Sequence, residues 1–271
     1  MLKQLYKFTA LLLVGSFIIM ACDNGPTSMD NDEPPQLPPV ESMETDFSVF
    51  DNNENKIATE KQNNINFAQA AARALLIKSI VDLNLAIPRV LLKAASNAEV
   101  EFNEDGEWEW RFTKQAGNST YEVRLLATRE SEDEINWQFF ITNSSLGIDN
   151  RLFFSGTSNG DGTQGTWTYY DLQSSEEQPV STIEWTITDE DDISLRLEIL
   201  SNRFNNEGDV IEYTFDGTVK YLSYLDAGDD EMTEIEWNTE TKAGFLIAPN
   251  YNNGEKACWD ENLQDISCSE I

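Results

Sequence analysis

The chain has 271 residues, of which 40% are hydrophobic and 11% aromatic, so it is too apolar to be disordered throughout and long enough for one large domain or two small ones. Its 49 acidic residues outnumber the 18 basic ones, and the resulting formal charge of −31 disfavours binding to nucleic acid and to anionic lipid surfaces. The chain has no histidine, which excludes Ser-His and Cys-His catalytic systems and the common zinc hydrolase sites.

The first 21 residues have the pattern of an export signal. Lys3 and Lys7 precede an apolar stretch over residues 8–21, and the stretch ends at Cys22. A transmembrane helix needs about 20 apolar residues, so this stretch is too short to span a bilayer. The sequence therefore predicts a signal peptide over residues 1–21.

The end of this segment resembles the lipobox of bacterial lipoproteins. Ile19, Met20 and Ala21 precede Cys22 in the order that this signal uses. The resemblance implies cleavage before Cys22 and lipidation of its thiol, with each buried methylene of the acyl chains contributing about 0.8 kcal/mol. We expect a protein of the cell envelope, held by a lipid anchor to the outer membrane, on either its periplasmic or its surface face.

Residues 22–62 are predicted to form a flexible tether behind the lipidated cysteine. The segment combines acids and turn-forming residues with Pro34, Pro35, Pro38 and Pro39. Such a composition favours extended conformations and does not bury a core. We expect residues 63–271 to form a single folded domain that the tether holds away from the membrane.

Residues 63–97 predict a long helix, because they are rich in Ala and Leu with few charges. Asn63 or Asn64 can cap its start, and Pro88 is expected to end or kink it near Ala86. Apolar residues occupy more than one stripe of this helix, so we expect it to be covered on most sides. Its recurring charges argue against a membrane span.

From residue 100 onwards the apolar residues recur at every second position, which is typical of half-buried strands. Trp108, Trp110 and Phe112 alternate with Glu107, Glu109 and Arg111, for example. The intervals contain turn-forming residues, so the pattern predicts an antiparallel meander. Ten segments show it: residues 107–113, 121–127, 135–141, 166–172, 183–187, 193–200, 210–215, 218–225, 234–239 and 243–248.

The predicted fold is therefore mainly β, a curved sheet or barrel with the helix as plug or lid. It resembles the lipocalin-like barrels and the open barrels of periplasmic lipoprotein carriers at the level of fold alone. A row of tryptophans at strand spacing is usually core, although large aromatic rings can also line an apolar pocket. We expect the helix to bury Leu76, Ile80 and Leu83 against the aromatic face, and the candidate ligand-pocket residues are Trp110, Trp137, Trp185, Trp237, Leu76 and Ile80.

The remaining cysteines, Cys258 and Cys268, are predicted to form a disulfide. An oxidising compartment favours the pair, and a metal site would need histidine or more thiols. Closing this short loop would contribute roughly 2 to 3 kcal/mol. Trp259 and Leu263 are expected to fasten the C-terminal segment to the sheet.

The acidic residues do not single out a catalytic or metal site. Asn159, Asp161 and Thr163, like Asp226, Asp229 and Glu231, resemble the start of a calcium loop, but after Asp161 no glutamate follows at the EF-hand distance. A hairpin turn is the favoured interpretation of the first loop, and no metal or other cofactor is expected.

Two functions from different classes are consistent with the sequence. The first is an envelope lipoprotein that binds an apolar small molecule or lipid between helix and sheet, and the second is a structural or interaction lipoprotein without a ligand. A carbohydrate-active enzyme with paired carboxylates is a distant third, because acids are too abundant to single out a pair. We expect a protein that is not an enzyme and contacts the membrane through its anchor.

Overall fold

The computed structural model describes residues 33–51, 63–116, 119–131, 133–174, 176–202 and 205–270. The predicted signal peptide, Cys22 and residues 52–62 of the predicted tether lie outside the described residues. Within the described part, fourteen strands form one antiparallel sheet in which every strand pairs with the next strand along the chain. This arrangement confirms the predicted meander, as a curved sheet with one long helix.

Two α-helices and four 3₁₀ turns lie within the described ranges. Residues 33–51 contain a 3₁₀ turn at Val40–Met43 and the short helix α1 at Ser48–Asp51, and the long helix α2 spans Ile65–Ala95. Further 3₁₀ turns lie at Ser144–Leu146, Asn252–Gly254 and Cys268–Glu270.

The strands are numbered in chain order. The first seven are β1 Val100–Phe102, β2 Trp108–Ala116, β3 Ser119–Ser131, β4 Glu134–Asn143, β5 Ile148–Ser158, β6 Gln164–Tyr170 and β7 Pro179–Asp189. The remaining seven are β8 Asp192–Ile199, β9 Val210–Asp216, β10 Val219–Asp226, β11 Glu231–Asn238, β12 Gly244–Ile247, β13 Ala257–Trp259 and β14 Asp265–Ile266.

The sheet is open, since among the described residues β1 and β14 pair with one neighbour each. Both edge strands are very short, which limits the unpaired backbone that an edge presents to other chains. Four strands were not predicted: β1, β5, β13 and β14. In β5 the inward positions after Leu152 and Phe154 are Gly156 and Ser158, so the apolar alternation that identifies a strand stops halfway.

Small residues on the concave face of the sheet make room for the tryptophans of the next strand. A Cβ atom at Gly156 would lie 2.5 Å from Cε3 of Trp167, and one at Gly165 would lie 2.8 Å from Cζ2 of Trp185. Each glycine is the cross-strand partner of the tryptophan that covers it. The indole rings therefore lie flat against the sheet and fill the concave side.

Helix α2 runs through Pro88, so of the two predicted alternatives, a helix end or a kink near Ala86, the helix end is wrong. Leu85 before the proline and Leu91 and Leu92 after it are all buried in the same core. This packing on both sides offsets the hydrogen bond that the proline removes. Among the described residues, no helix is long and apolar enough to cross a membrane.

The start of α2 is fastened by the C-terminal segment of the chain. Asn64 occupies the N-cap position as predicted, but its side chain makes no capping bond. The carboxylate of Asp265 does so instead, accepting hydrogen bonds from the backbone N–H groups of Ile65 at 3.2 Å and Asn66 at 2.8 Å. A carboxylate here also meets the positive end of the helix dipole.

The predicted disulfide holds this capping segment in place. Cys258 and Cys268 are bonded, with their Cα atoms 5.2 Å apart, and Asp265 lies in the loop that they close. Trp259 and Leu263 are buried as expected, and the ring of Trp259 packs edge-on against Phe67 of α2 at 5.7 Å. The disulfide, the cap and this aromatic contact therefore stabilise the same end of the helix.

Residues 33–51, which were assigned to the flexible tether, are folded against the core, so the predicted tether boundary at residue 62 is wrong for this part. We call residues 33–51 the inner strap. Met43, Phe47 and Phe50 are each exposed by 2% or less. Phe50 stacks on Phe67 of α2. The prolines of the segment restrict its backbone dihedral angles, but they precede these apolar residues in the sequence and do not prevent them from packing.

An ion pair attaches the inner strap to the sheet. The ammonium group of Lys220, on the concave face of β10, donates to Asp46 of the strap at 2.5 Å. Only 7% of the Lys220 side chain is exposed, whereas 53% of the Asp46 side chain is. Burial raises the pKa of the Asp46 carboxyl, but hydrogen bonds from Lys220 and Ser48 outweigh this effect, and the net pKa lies below its ordinary value.

Candidate functional site

The four tryptophans predicted to line a pocket are core residues. Trp110, Trp137, Trp185 and Trp237 are exposed by 4% or less. Trp137 donates its indole N–H to Ser158 at 2.9 Å and packs on Trp110 with ring centroids 5.9 Å apart. Together with the inner strap, these rings occupy the concave side of the sheet where the sequence had suggested a ligand.

Helix α2 packs on the sheet as predicted, but with a different face. Leu76 and Leu83 were expected to be buried against the tryptophans, and they are instead 61% and 70% exposed. Ile77, Val81 and Leu85 take the buried positions. Because this helix is apolar around most of its circumference, its hydrophobic pattern does not reveal which stripe faces the core.

The outward side of α2 borders a groove that contains two of the predicted pocket residues, Leu76 and Ile80. Two adjoining depressions, of about 250 Å³ and about 240 Å³, share Leu83, Asn84 and Asn206 as lining residues. We call this pair of depressions the lid groove. Helix α2 adds Ile87 to the lining. Strands, strand ends and turns supply the rest, in part apolar or aromatic and in part polar: Phe153, Tyr169, Tyr170, Asp171, Leu172, Gln173, Val180, Ile199, Ser201, Asn205, Asp209, Tyr224 and Asp226.

The position of the groove follows from the meander. Because consecutive strands are antiparallel, the ends of β6, β8 and β10 and the starts of β5, β7 and β9 meet at one end of the sheet. Residues from these strand ends line the groove opposite α2. Residues 76–87 of α2 therefore run beside this end of the sheet, and the groove lies between them and the strand ends.

Two buried polar atoms lie among the apolar lining of the larger depression. The hydroxyl of Tyr169 and Oδ1 of Asn206 are both shielded from solvent, and neither has a hydrogen-bond partner among the described residues. Burial raises the pKa of Tyr169 well above its ordinary value, and the nearby Arg89 lowers it only in part, so the hydroxyl is a neutral donor. Two residues that line the groove thus carry one unpaired donor and one unpaired acceptor.

The second depression contains a polar pair that is already satisfied. Tyr224 donates its hydroxyl to Asp209 at 2.6 Å, and Asp209 also accepts from the backbone N–H of Ala227 at 3.0 Å. Burial, with the hydrogen bond to Asp209, raises the pKa of Tyr224. These groups fix one wall of the groove. The remaining lining combines the apolar Leu76, Ile80 and Leu83 with the polar side chains of Asn84, Asn205, Asn206 and Asp226.

The two loops that resembled the start of a calcium loop form turns between strands. The side-chain Oδ1 of Asn159 accepts from the backbone N–H of Thr163 at 2.8 Å, and Gly162 adopts a φ of 65°, which confirms the predicted hairpin turn. Asp226 accepts from the N–H of Gly228 at 3.0 Å. Across the described ranges, no cluster of three Cys, Asp or Glu side chains is placed to hold a metal ion.

A third depression lies on the convex face of the sheet and is polar. It has a volume of about 650 Å³ and is lined largely by hydroxyl and charged side chains, among them Thr157, Thr166, Glu184, Arg196 and Glu212. Arg196 lies 2.9 Å from Glu198 and 3.7 Å from Glu212, so its charge is already matched. This depression therefore presents an ordinary solvated surface with no unpaired cation at Arg196.

The fold and the groove define a class of protein, a sequential antiparallel meander closed at one end by a helical lid with an apolar groove along it. Comparison with models of known families, with curated proteins and with solved structures gives no match for this chain. The function is therefore argued from the groove itself.

Proposed function

We propose that this chain is a lipid-anchored protein of a bacterial cell envelope that binds an apolar small molecule or lipid in the lid groove. The observation that carries the proposal is the pair of unpartnered buried atoms, the Tyr169 hydroxyl and Asn206 Oδ1, in an otherwise largely apolar groove. Small-molecule sites typically combine an apolar lining with a few such polar groups. The role is binding and not catalysis.

The groove favours an uncharged ligand group at its polar end. The Tyr169 hydroxyl can donate to a carbonyl or hydroxyl oxygen, and Asn206 Oδ1 can accept from a hydroxyl or amide N–H. Asp209 and Asp226 also line the groove, and a free carboxylate would be repelled by them and by the overall charge of −31. A long-chain alcohol, an amide or an esterified lipid matches these requirements.

The location rests on the resemblance of residues 19–22 to a lipobox. Mass spectrometry of the membrane form should find an acylated Cys22 as the N-terminal residue, and Cys22→Ser should remove the mature membrane-bound form. An unprocessed Met1, or cleavage beyond Cys22, would reject the anchor and leave the groove proposal unaffected.

The second candidate is a structural or interaction lipoprotein without a ligand. It is supported by the filled concave side, where the inner strap and the four core tryptophans leave the predicted interior site occupied by protein. The two candidates differ in what the groove holds, so the contents of the purified protein discriminate between them.

The experiment is an organic extraction of the protein purified from its host membrane, followed by lipid mass spectrometry. We expect a co-purifying apolar compound at a fixed molar ratio, which is reduced in Leu172→Asp. Leu172 lines the groove from the turn after β6, away from the helix. The control is Leu146→Asp, an identical change at a leucine that is 58% exposed and outside the groove. A parent protein without bound compound would favour the structural candidate.

A further inference from the structure

The solvent-facing side of α2 carries an uncharged stripe with heptad spacing. Its residues recur at alternating intervals of four and three, and all are exposed. We call them the outer seam: Ala72, Leu76, Ser79, Leu83, Ala86 and Val90. Every exposed α2 residue over 65–90 is uncharged, although a quarter of the whole chain is charged. Such an exposed apolar patch marks an interface.

Large and small side chains alternate along the outer seam in a way that fits a second copy of itself. In an antiparallel pair centred at the level of Val81, each large residue meets a small one: Leu76 opposite Ala86, Leu83 opposite Ser79 and Val90 opposite Ala72. The pattern is self-complementary, as a two-fold symmetric interface requires. Small residues opposite large ones let two helices approach closely and interdigitate.

The extent of the seam is sufficient for a specific contact. Leu76 is 61% exposed, Leu83 70% and Val90 44%, and the neighbouring Ile87 is 57% exposed. With these fractions, a symmetric pair would bury about 1,000 Å² in total, which is the lower bound for specific interfaces. Because the seam has no acidic residue, two acidic molecules can meet there without bringing carboxylates together.

A membrane surface fits the seam less well than a second copy. Lys78 and Arg89, the cations beside it in the middle of the helix, both pair with Asp82, at 2.6 Å and 2.8 Å. They are therefore not free to bind lipid phosphates, and the strongly acidic chain is repelled by anionic lipids. Fluid lipid chains also adapt to any apolar helix surface, so binding to a bilayer does not require large and small residues to alternate.

We infer that the outer seam is a homodimer interface in which the α2 helices of two copies pair antiparallel around Val81. The interface lies beside the lid groove, and Ala72, Ser79, Ala86 and Val90 belong to the seam alone. Changes at these four residues test the dimer without altering the groove lining.

The test is disulfide cross-linking of full-length chains in the host membrane. Cells make two differently tagged copies, one with Ala72→Cys and the other with Val90→Cys, which the antiparallel pairing places opposite each other. On mild oxidation we expect a mixed-tag dimer. Ala72→Cys combined with Ser79→Cys is the control, because that pairing offsets the two thiols by far more than the 7 Å between Cα atoms that a disulfide can bridge.

A third change separates the interface from random collisions. Ala86→Glu in both copies should reduce the Ala72–Val90 cross-link several-fold, since it places two charges in the pair, whereas Val219→Glu at the opposite end of the sheet should not. Equal cross-linking of both cysteine pairs would overturn the inference. An absent cross-link would also overturn the inference. This includes the result in which a membrane-impermeant maleimide cannot label the seam thiols because lipid covers them.

Discussion

Tyr169 lines the lid groove and carries a buried hydroxyl group without a hydrogen-bond partner among the described residues. This single group is the main polar feature of the candidate site. Leaving a buried polar group unsatisfied costs about 1 to 3 kcal/mol. The neighbouring Tyr224 has the opposite status, because its hydroxyl is bonded to Asp209 at 2.6 Å. The two tyrosines therefore allow the same substitution to be compared in two environments.

We expect Tyr169→Phe to leave the free energy of unfolding of the ligand-free protein unchanged or to raise it by up to about 1 kcal/mol, because no bond is lost. Tyr224→Phe should lower it by about 1 to 2 kcal/mol, because Asp209 loses a donor. Urea denaturation of both variants measures the difference. Equal losses would mean that the Tyr169 hydroxyl has a partner within the protein.

The Asp46–Lys220 pair gives the inner strap a dependence on pH. The pKa of Asp46 is lower in the folded chain than its ordinary value of 3.8, so the pair stabilises the fold fully above that pH and its contribution is lost as the pH falls below it. We expect Asp46→Asn to destabilise the protein by about 1 to 3 kcal/mol at neutral pH, because the buried ammonium loses its carboxylate.

Denaturation of Asp46→Asn and the parent at several pH values checks this expectation. The difference in stability should shrink as the pH falls below about 4, because the Asp46 carboxyl takes up its proton at a higher pH in the unfolded chain than in the folded one. In a Lys220→Met background the substitution should have a much smaller effect. A difference that is independent of pH would show that the ion pair does not hold the strap.

At the scale of elements, the sequence predicts that a long helix covers the sheet, but not which side of it is buried. Apolar residues surround α2, and its two apolar stripes differ in what they meet: one contacts the core and the other forms the outer seam. Spacing alone treats Leu76 and Ile77 alike. Which of the two side chains is buried depends on the core residues that lie beneath it, and those residues are distant in sequence.

These two neighbours form a matched pair for mutation. Ile77 is 1% exposed, so Ile77→Asp should destabilise the fold by several kcal/mol by burying an unpaired charge. In an Ala86→Glu background, where the α2 helices of two copies are not expected to pair, Leu76→Asp at a position that is 61% exposed should change the free energy of unfolding by about 0.5 kcal/mol or less. Denaturant midpoints measure both, and a large loss for Leu76→Asp would contradict the observed helix face.

The helix cap joins elements at opposite ends of the chain. Asp265→Ala should destabilise the protein by about 1 to 2 kcal/mol, since α2 loses its N-terminal cap and the favourable charge at its dipole. Glu261→Ala, which removes an exposed carboxylate from the same disulfide loop, should have little effect. Thermal or urea denaturation distinguishes the two, and equal effects would reject the capping role.

At the scale of the whole molecule, alternation of apolar residues was sufficient to predict ten strands and their meander order. The prediction missed β5, whose inward positions include Gly156 and Ser158, and three strands of only two or three residues, β1, β13 and β14. The disulfide followed from cysteine number and spacing. The inner strap was missed because its prolines and acids resemble a linker, while Met43, Phe47 and Phe50 carry its packing.

The candidate site was predicted only in part. Leu76 and Ile80 line the lid groove, but the four tryptophans do not, because they fill the core beneath the helix. Tyr169 and Asn206 could not be selected from the sequence, since an unpartnered polar atom is recognised only when its surroundings are known. The sequence shows that apolar residues occupy more than one stripe of α2, but it does not show that the stripe forming the outer seam is exposed to solvent.

Equilibrium binding of N-phenyl-1-naphthylamine, an uncharged apolar fluorophore, to the delipidated protein tests the lid groove most directly. We expect saturable fluorescence enhancement at one site per chain, weakened about tenfold or more by Leu172→Asp, which places a charge in the apolar lining, and unchanged by Leu146→Asp. Long-chain alcohols should displace the probe. Enhancement that does not saturate, or that Leu172→Asp and Leu146→Asp leave equally intact, would contradict a ligand site in this groove.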